Sequence, residues 1–495
     1  MAPAPSKLSS PRRGWDAALP SILRPLVRAY LLGYATAVGP RLLTLLLQHL
    51  ARTRRNKQKT TARDTQRAAP FLDSLQRLLR GGLDWQRFPT FCAAIVGGTT
   101  LLELPFKVIF NHLAKNHSDI ARRRLSRWFA SFIAAWLSIR LLQSKQTASF
   151  TDTVAPPDGL EPPRTVRYAG RTLDLTLFAV TRAADVIVGE LWHQHKQRRL
   201  ASGRWTPLES AISRLADPAI FALSSALVMW AWFYNPSRLP RNYNKWIGSA
   251  AAVDSRLIAA LQRCHEGILV YGRDTGQAEL LSSMCADYSL PPAWGDPAIT
   301  IPFPCELVHM GCGPSCELHA LSRFIRSFRW ALASYLPLTL LLPVIRTRRL
   351  PTLRVLRRAV LSASRSSAFL ASFITLFYYG VCLARTRLGP RLLGTSVACR
   401  QRIDGCVCVG AGCFLCGWSI LLEDEGRRKD VGLFVAPRAL ATLFPRRYAK
   451  KAEWRERLVF AAATAVVFTC VLENRNRVRG VLGGVLGTVL LDGKN

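Results

Sequence analysis

Five residues between positions 305 and 319 carry the most distinctive chemistry in this chain. Cys305, His309, Cys312, Cys316 and His319 recur at steps of three and four. Thiolate and imidazole groups at such short spacings converge on Zn²⁺ as a four-ligand structural site. Gly311, Gly313 and Pro314 permit the tight turn this needs. The spacing differs from the familiar double-knuckle patterns. Two alternatives stay open: a disulfide if the segment faces an oxidising space, or packed thiols with His319 opening a helix.

A second cluster, Cys399, Cys406, Cys408, Cys413 and Cys416, lies in or beside an apolar run with Gly405, Gly410, Gly412 and Gly417. Small residues in a membrane helix usually mark close packing, so packing is the expectation here, with redox or metal chemistry as the alternative. Glu103 and Lys107 sit four apart within an apolar stretch that begins at Phe88. They form a candidate intramembrane polar pair. The alternative is that the helix ends near Leu102, ahead of Pro105, and leaves the pair at the interface. No nucleophile elbow, phosphate loop, dinucleotide fingerprint or HExxH pattern occurs. The expectation is therefore a protein that is not an enzyme. An open-sided zinc near Glu306 or Glu317 would point the other way.

The elements that must position these residues are apolar helices. Of 495 residues, 49% are hydrophobic, yet Lys+Arg is 68 against 31 Asp+Glu, a net charge of +37. Disorder needs low hydrophobicity, so a mainly disordered basic tail is excluded. Nucleic-acid binders that carry such charge seldom contain long uncharged apolar runs. Here residues 218–237, 366–384 and 405–422 lack any Asp, Glu, Lys or Arg, and each approaches the roughly 20 residues that cross a bilayer. Shorter runs lie at 88–102, 128–139, 330–345 and 458–472. Trp230, Trp232, Tyr234, Tyr378 and Tyr379 crowd the run ends, as interfacial aromatics do.

Self-similarity organises the runs. Segment 221–238 aligns without gaps on 460–477, matching Ala222, Ala226, Val228, Asn235 and Arg238 to Ala461, Ala465, Val467, Asn474 and Arg477. Segment 177–183 resembles 433–439. Leu26 and Arg28 match Leu321 and Arg323, and Arg87, Phe91 and Ala93 match Arg365, Phe369 and Ala371. The order is the same in both copies. The expected fold is therefore all-α: a multi-pass helical membrane protein built from two tandem similar halves with a soluble central insert. Boundaries are a flexible N-terminus at 1–21, a first half at 22–238, the Cys/His-containing insert at 239–319, a second half at 320–477 and a Gly-rich segment at 478–495.

Helical elements are expected near 22–50, 88–113, 121–143, 172–200 and 211–234. In the second half they fall near 320–345, 355–387, 403–422, 430–443 and 455–473. The fourth of each half carries charge and reads as interfacial. Residues 51–70 and 144–168 read as polar loops. Between 239 and 322, eight acids oppose five bases, a net of −3. The excess positive charge thus lies in the loops and helix ends of the membrane halves. Anionic lipid attracts such residues by about 1 kcal/mol each near the surface, so an anionic bilayer is the expected partner and nucleic acid is not. Basic loops at 51–80, 114–127, 140–171, 193–204 and 346–358 leave no positive-inside asymmetry. That pattern fits organelle membranes with other insertion routes.

The Cys305–Phe324 stretch, with Cys316, Glu317, Leu318, His319 and Arg323 in order and residues 335–338 after it, resembles the cysteine-rich N-terminal segment of the transmembrane protein 135 family in a fungal-type arrangement. Segments 369–387 and 412–420 are similar to the same family, and the Gly-containing segments are more distantly similar to the Tim17-like membrane superfamily. The resemblance implies a multi-pass protein of peroxisomal or mitochondrial membranes linked to lipid handling and mitochondrial dynamics. It carries over no catalytic residues. In this chain the Cys-rich segment sits in the middle, a departure from the N-terminal placement. Lipid or small-solute transport is the leading expectation. A scaffold that recruits protein partners through the insert is the alternative.

Overall fold

The computed structural model describes residues 16, 19–58, 71–113, 115–154, 164–347 and 352–490. Most of the expected N-terminal segment 1–21, and residues 491–495 of the Gly-rich end, fall outside these. In chain order the helices are α1 (Arg24–Gln58), α2 (Phe71–Gly82), α3 (Phe88–Leu113), α4 (Asp119–Gln143), α5 (Leu173–Ala201) and α6 (Pro207–Tyr234). Four short helices follow: α7 (Arg241–Ala251), α8 (Ser255–Glu266), α9 (Ala278–Asp287) and α10 (Cys305–Val308). Then come α11 (Cys316–Thr347), α12 (Leu353–Leu383), α13 (Gly389–Leu393), α14 (Val397–Arg402), α15 (Cys408–Cys416), α16 (Glu425–Leu443), α17 (Glu453–Glu473) and α18 (Gly480–Leu490).

The described residues are mostly helical, and among them five helical segments are long and apolar enough to cross a membrane: Phe88–Leu113, Asp119–Gln143, Pro207–Tyr234, Leu353–Leu393 and Val397–Leu422. Local sequence explains where they begin. The Ser118 hydroxyl accepts from the Ala121 amide at the start of α4. Thr206 and Glu209 form a reciprocal capping box ahead of α6, with Pro207 in its first turn, satisfying amides that have no intrahelical partner.

Two features depart from the expected loops. Residues 51–58 continue α1, and α2 forms inside the stretch read as basic loop. The 144–168 region supplies β1 (Thr151–Val154) and β2 (Arg164–Ala169), which pair antiparallel, and β3 (Tyr448–Ala449) adds to β2. An otherwise all-α protein thus carries one small sheet.

By contacts the chain divides into two compact units, 1–194 with 447–495, and 195–446. In the first unit, α3 packs on α1 and on α4, and α4 packs on α17. Its core joins Phe91 and Ile95 of α3, Ile139 of α4, Ala179 and Ala183 of α5, and Phe460, Ala461 and Val467 of α17. In the second unit, α12 packs on α11 and on α15, and α6 packs on α15 and α16. Its core joins Phe221 and Trp232 of α6, Phe377 of α12, Val409 and Cys413 of α15, and Ala439 of α16. The helices α7–α10 of this unit have a buried cluster of their own, including Leu257, Leu281, Met284, Phe303 and Leu307.

These units do not follow the 22–238 and 320–477 boundaries. The first unit takes α17 and the second takes α6. The aligned segments 221–238 and 460–477 nevertheless share a local course. Each is a helix ended by an asparagine, Asn235 or Asn474, whose amide bonds to Ala231 or Cys470, and each is followed by a single 3₁₀ turn.

Close helix contact depends on glycine where α12 crosses α15. A Cβ on Gly412 would lie 2.7 Å from the Phe377 carbonyl oxygen, and one on Gly380 would lie 3.0 Å from the Gly412 Cα. Gly412→Val is expected to cost about 1–3 kcal/mol by overpacking, while Gly426→Ala, with open space around it, changes little. Thermal melts of the detergent-solubilised variants check this, and equal stability of the two would contradict the crossing.

Candidate metal centre

The Cys/His segment folds as a short helix, a tight turn and the start of a long helix. Cys305 and His309 occupy successive turns of α10 and its C-terminus. Met310, Gly311 and Gly313 all take positive φ (56°, 75° and 88°), a setting that the two glycines accept without a Cβ penalty. Cys316 then opens α11. The reversal brings Cys305, His309 and Cys316 together, with one ligand atom from each lying within 4.8 Å of the others. A Cys–His–Cys group able to hold a metal ion is therefore present, and among the described residues it is the only cluster of three or more such groups.

His309 is fully buried. Its Nδ1 is 2.8 Å from the Gly313 carbonyl oxygen, and its Nε2 is 3.3 Å from the Cys382 Sγ at the end of α12. Cys382 is buried and lies within reach of the Cys316 thiol, as does Cys305. Burial pushes the Cys305 thiol up to about 11, with the nearby Arg385 guanidinium acting in the opposite sense. Burial also lowers His309 below the usual histidine range.

The other two residues of the sequence-based set do not join the cluster. Cys312 is exposed on the outside of the turn. The His319 ring stacks on His309 at 4.4 Å and 10°. It is buried, and neither of its nitrogens has a hydrogen-bond partner among the described residues. Burial, then the neighbouring His309 and Arg323 side chains, bring its pKa down to about 3. His319 is thus a neutral packing ring. Beyond it, Arg323 lies over the Tyr378 ring at 4.4 Å and donates to the carbonyls of Ala251 and Ala252.

The second polar candidate changes partner. Glu103 accepts from Arg127 Nε at 2.8 Å on the facing helix α4, whereas Lys107 is exposed. The intramembrane pair Glu103–Lys107 is therefore replaced by Glu103–Arg127. Pro105 does not end the helix, and α3 continues to Leu113. In the glycine-rich cluster, Cys408, Cys413 and Cys416 are buried in the α15 core while Cys406 is exposed, which is packing geometry.

Sequence reasoning overlooked a charged pair adjoining this site. Arg385 and Asp404 are 4% and 1% exposed and meet through two bonds of 2.6 and 2.9 Å. Tyr271 donates to the same carboxylate at 2.5 Å, and Arg385 also donates to the Phe303 carbonyl. Both charges sit on π-helical turns, at 384–388 and 403–407, a distortion that frequently marks functional positions. The signal was present in the sequence: one residue follows the apolar run that ends at 384, and the other precedes the run that begins at 405.

The second unit also contains an apolar cavity of ≈ 320 Å³. Its walls include Phe221 and Met229 of α6, Trp246 of α7, Tyr335 of α11, Phe373 of α12 and Phe434 of α16. The first unit has a recess of ≈ 200 Å³ beside the sheet, where Arg140, Lys145, Arg167, Arg171, Lys450 and Arg457 outnumber Glu453.

No family model matches the chain, and no curated protein or solved structure is similar to it. The likeness to the transmembrane protein 135 family rests on the quoted residues alone.

Proposed function

We propose that this chain is a multi-pass protein of an organelle membrane that binds and moves lipid or a similar apolar solute, without catalysing a reaction. The observation that carries this reading is the aromatic-walled cavity inside the second helical unit. Ligand sites are typically concave and mostly apolar. The basic recess in the first unit supports anionic lipid as a partner, since basic pockets attract lipid phosphates. The resemblance to the transmembrane protein 135 family and the evenly basic loops support a peroxisomal or mitochondrial location. The matching courses of 221–238 and 460–477 support a duplicated origin. In that reading the two copies exchange their fifth helices, so that α17 completes the first unit and α6 the second.

Vesicles containing the purified protein test the function. Fluorescent phospholipid is expected to move severalfold faster than in protein-free vesicles. Ser225→Trp, which fills the cavity from α6, is expected to remove most of that gain. Transfer no faster than in empty vesicles would reject transport and favour the scaffold reading.

A further inference from the structure

We propose that Cys305, His309, Cys316 and Cys382 together form a closed Cys₃His zinc site that fastens the α10–α11 turn to the end of α12. This goes beyond the lipid reading and does not depend on it. Four features carry it.

The first is convergence. Three ligand atoms already stand within 4.8 Å of one another, and the fourth, Cys382 Sγ, is 3.3 Å from His309 Nε2. Sulfur ligands bound at about 2.3 Å around a tetrahedral ion stand about 3.7 Å apart, so Cys382, which is not among the three mutually close residues, must shift toward them to close the shell.

The second is tautomer control. A zinc-bound imidazole characteristically donates its other ring N–H to a carbonyl or carboxylate. Gly313 supplies that carbonyl at 2.8 Å from Nδ1, leaving Nε2 directed at the Cys382 thiol. The carbonyl is presented by a glycine at φ 88°, a backbone setting that side chains disfavour.

The third is exclusivity. Cys312 is exposed and His319 is stacked nearly parallel on the His309 ring. The sequence-local set is thereby reduced to three ligands, and a residue from a distant helix supplies the fourth. Four protein ligands leave no open coordination position, which defines a structural ion and excludes an activated water.

The fourth is charge. Zinc with three thiolates carries a net −1, and Arg385, whose own ion-pair partner is Asp404, lies near enough to Cys305 to interact with it as well. Soft sulfur and imidazole ligands in tetrahedral array select zinc over the hard divalent cations.

The test is metal content of the full-length protein, purified in detergent without chelator. The wild type is expected to hold about one zinc per chain, and cobalt-substituted protein to show tetrahedral d–d bands with strong thiolate charge transfer. Cys382→Ser is expected to lose zinc, while Cys312→Ser retains it. Cys382→His, which restores a ligand, covers the case in which the serine variant does not fold, and it too is expected to hold zinc. Zinc retained in folded Cys382→Ser, zinc lost in Cys312→Ser or in folded Cys382→His, or a metal-free wild type with a Cys305–Cys316 disulfide would each overturn the proposal.

Discussion

Asp404→Ala is expected to be among the most damaging single substitutions in this protein, at about 3–5 kcal/mol, because it leaves a buried guanidinium without its counter-charge. Arg385 is 4% exposed, and its remaining partner would be the Phe303 carbonyl. The pair is a tether as well as an ion pair. Tyr271 and Phe303 belong to the segment between the helical runs, while Arg385 and Asp404 lie within the candidate spans Leu353–Leu393 and Val397–Leu422. The loss should therefore appear as reduced monodisperse yield and a lowered melting temperature. Replacing the whole network with apolar groups, as Arg385→Met, Asp404→Leu and Tyr271→Phe, should recover much of it, since a buried pair exchanged for apolar residues of similar volume is often neutral. If the triple variant is no more stable than Asp404→Ala, the account of this network fails.

The second large effect belongs to the first unit. Glu456 of α17 is 7% exposed and accepts from four donors. Thr172 and Tyr448 bond it closely, Thr176 at 3.2 Å, and Gln143 Nε2 at 3.5 Å. These donors come from α4, the start of α5 and the small sheet, so one carboxylate joins three elements. Glu456→Ala strands several buried donors. The expected loss is about 2–3 kcal/mol, at the upper end for unsatisfied groups. Glu456→Gln keeps an acceptor oxygen and should fall between the alanine variant and the wild type. Chemical or thermal unfolding of the solubilised protein measures both, and an alanine variant as stable as wild type would contradict the network.

Helices were the legible part of the sequence. The expected 88–113, 172–200 and 455–473 correspond to Phe88–Leu113, Leu173–Ala201 and Glu453–Glu473. Long apolar periodicity and capping residues are local signals, and the backbone obeys them locally. The α2 helix was hidden because Arg77 and Arg80 lie in a strongly basic stretch that reads as loop. The β1–β2 hairpin was hidden because Pro156, Pro157, Pro162 and Pro163 make the stretch read as loop, and β3 was hidden because it pairs with β2 from almost 300 residues away. The metal centre was half legible. Cys305, His309 and Cys316 could be grouped by spacing, whereas Cys382 lies inside an apolar run and reads as one more packed thiol. Exposure could not be read either, which is why Cys312 and His319 entered the expected set. Glu103 went to Arg127 for a related reason: helix spacing favours Lys107, but the facing helix α4 brings a guanidinium closer. Arg385 and Asp404 showed their positions as the limits of charge-free runs, yet nothing in the sequence states that the two limits meet.

The proposed binding of lipid in the apolar cavity is tested most directly by photo-crosslinking. A diazirine-bearing phospholipid is incorporated into membranes containing the full-length protein, and labelled peptides are mapped by mass spectrometry. The helix α6 provides its own control, because Ser225, Val228 and Met229 line the cavity while Leu223 is 67% exposed on another face. The account predicts strong labelling at the cavity-lining positions of α6 and α12, abolished by Ser225→Trp, with labelling at Leu223 unchanged. Labelling confined to Leu223 and other outward positions, indifferent to Ser225→Trp, would contradict it.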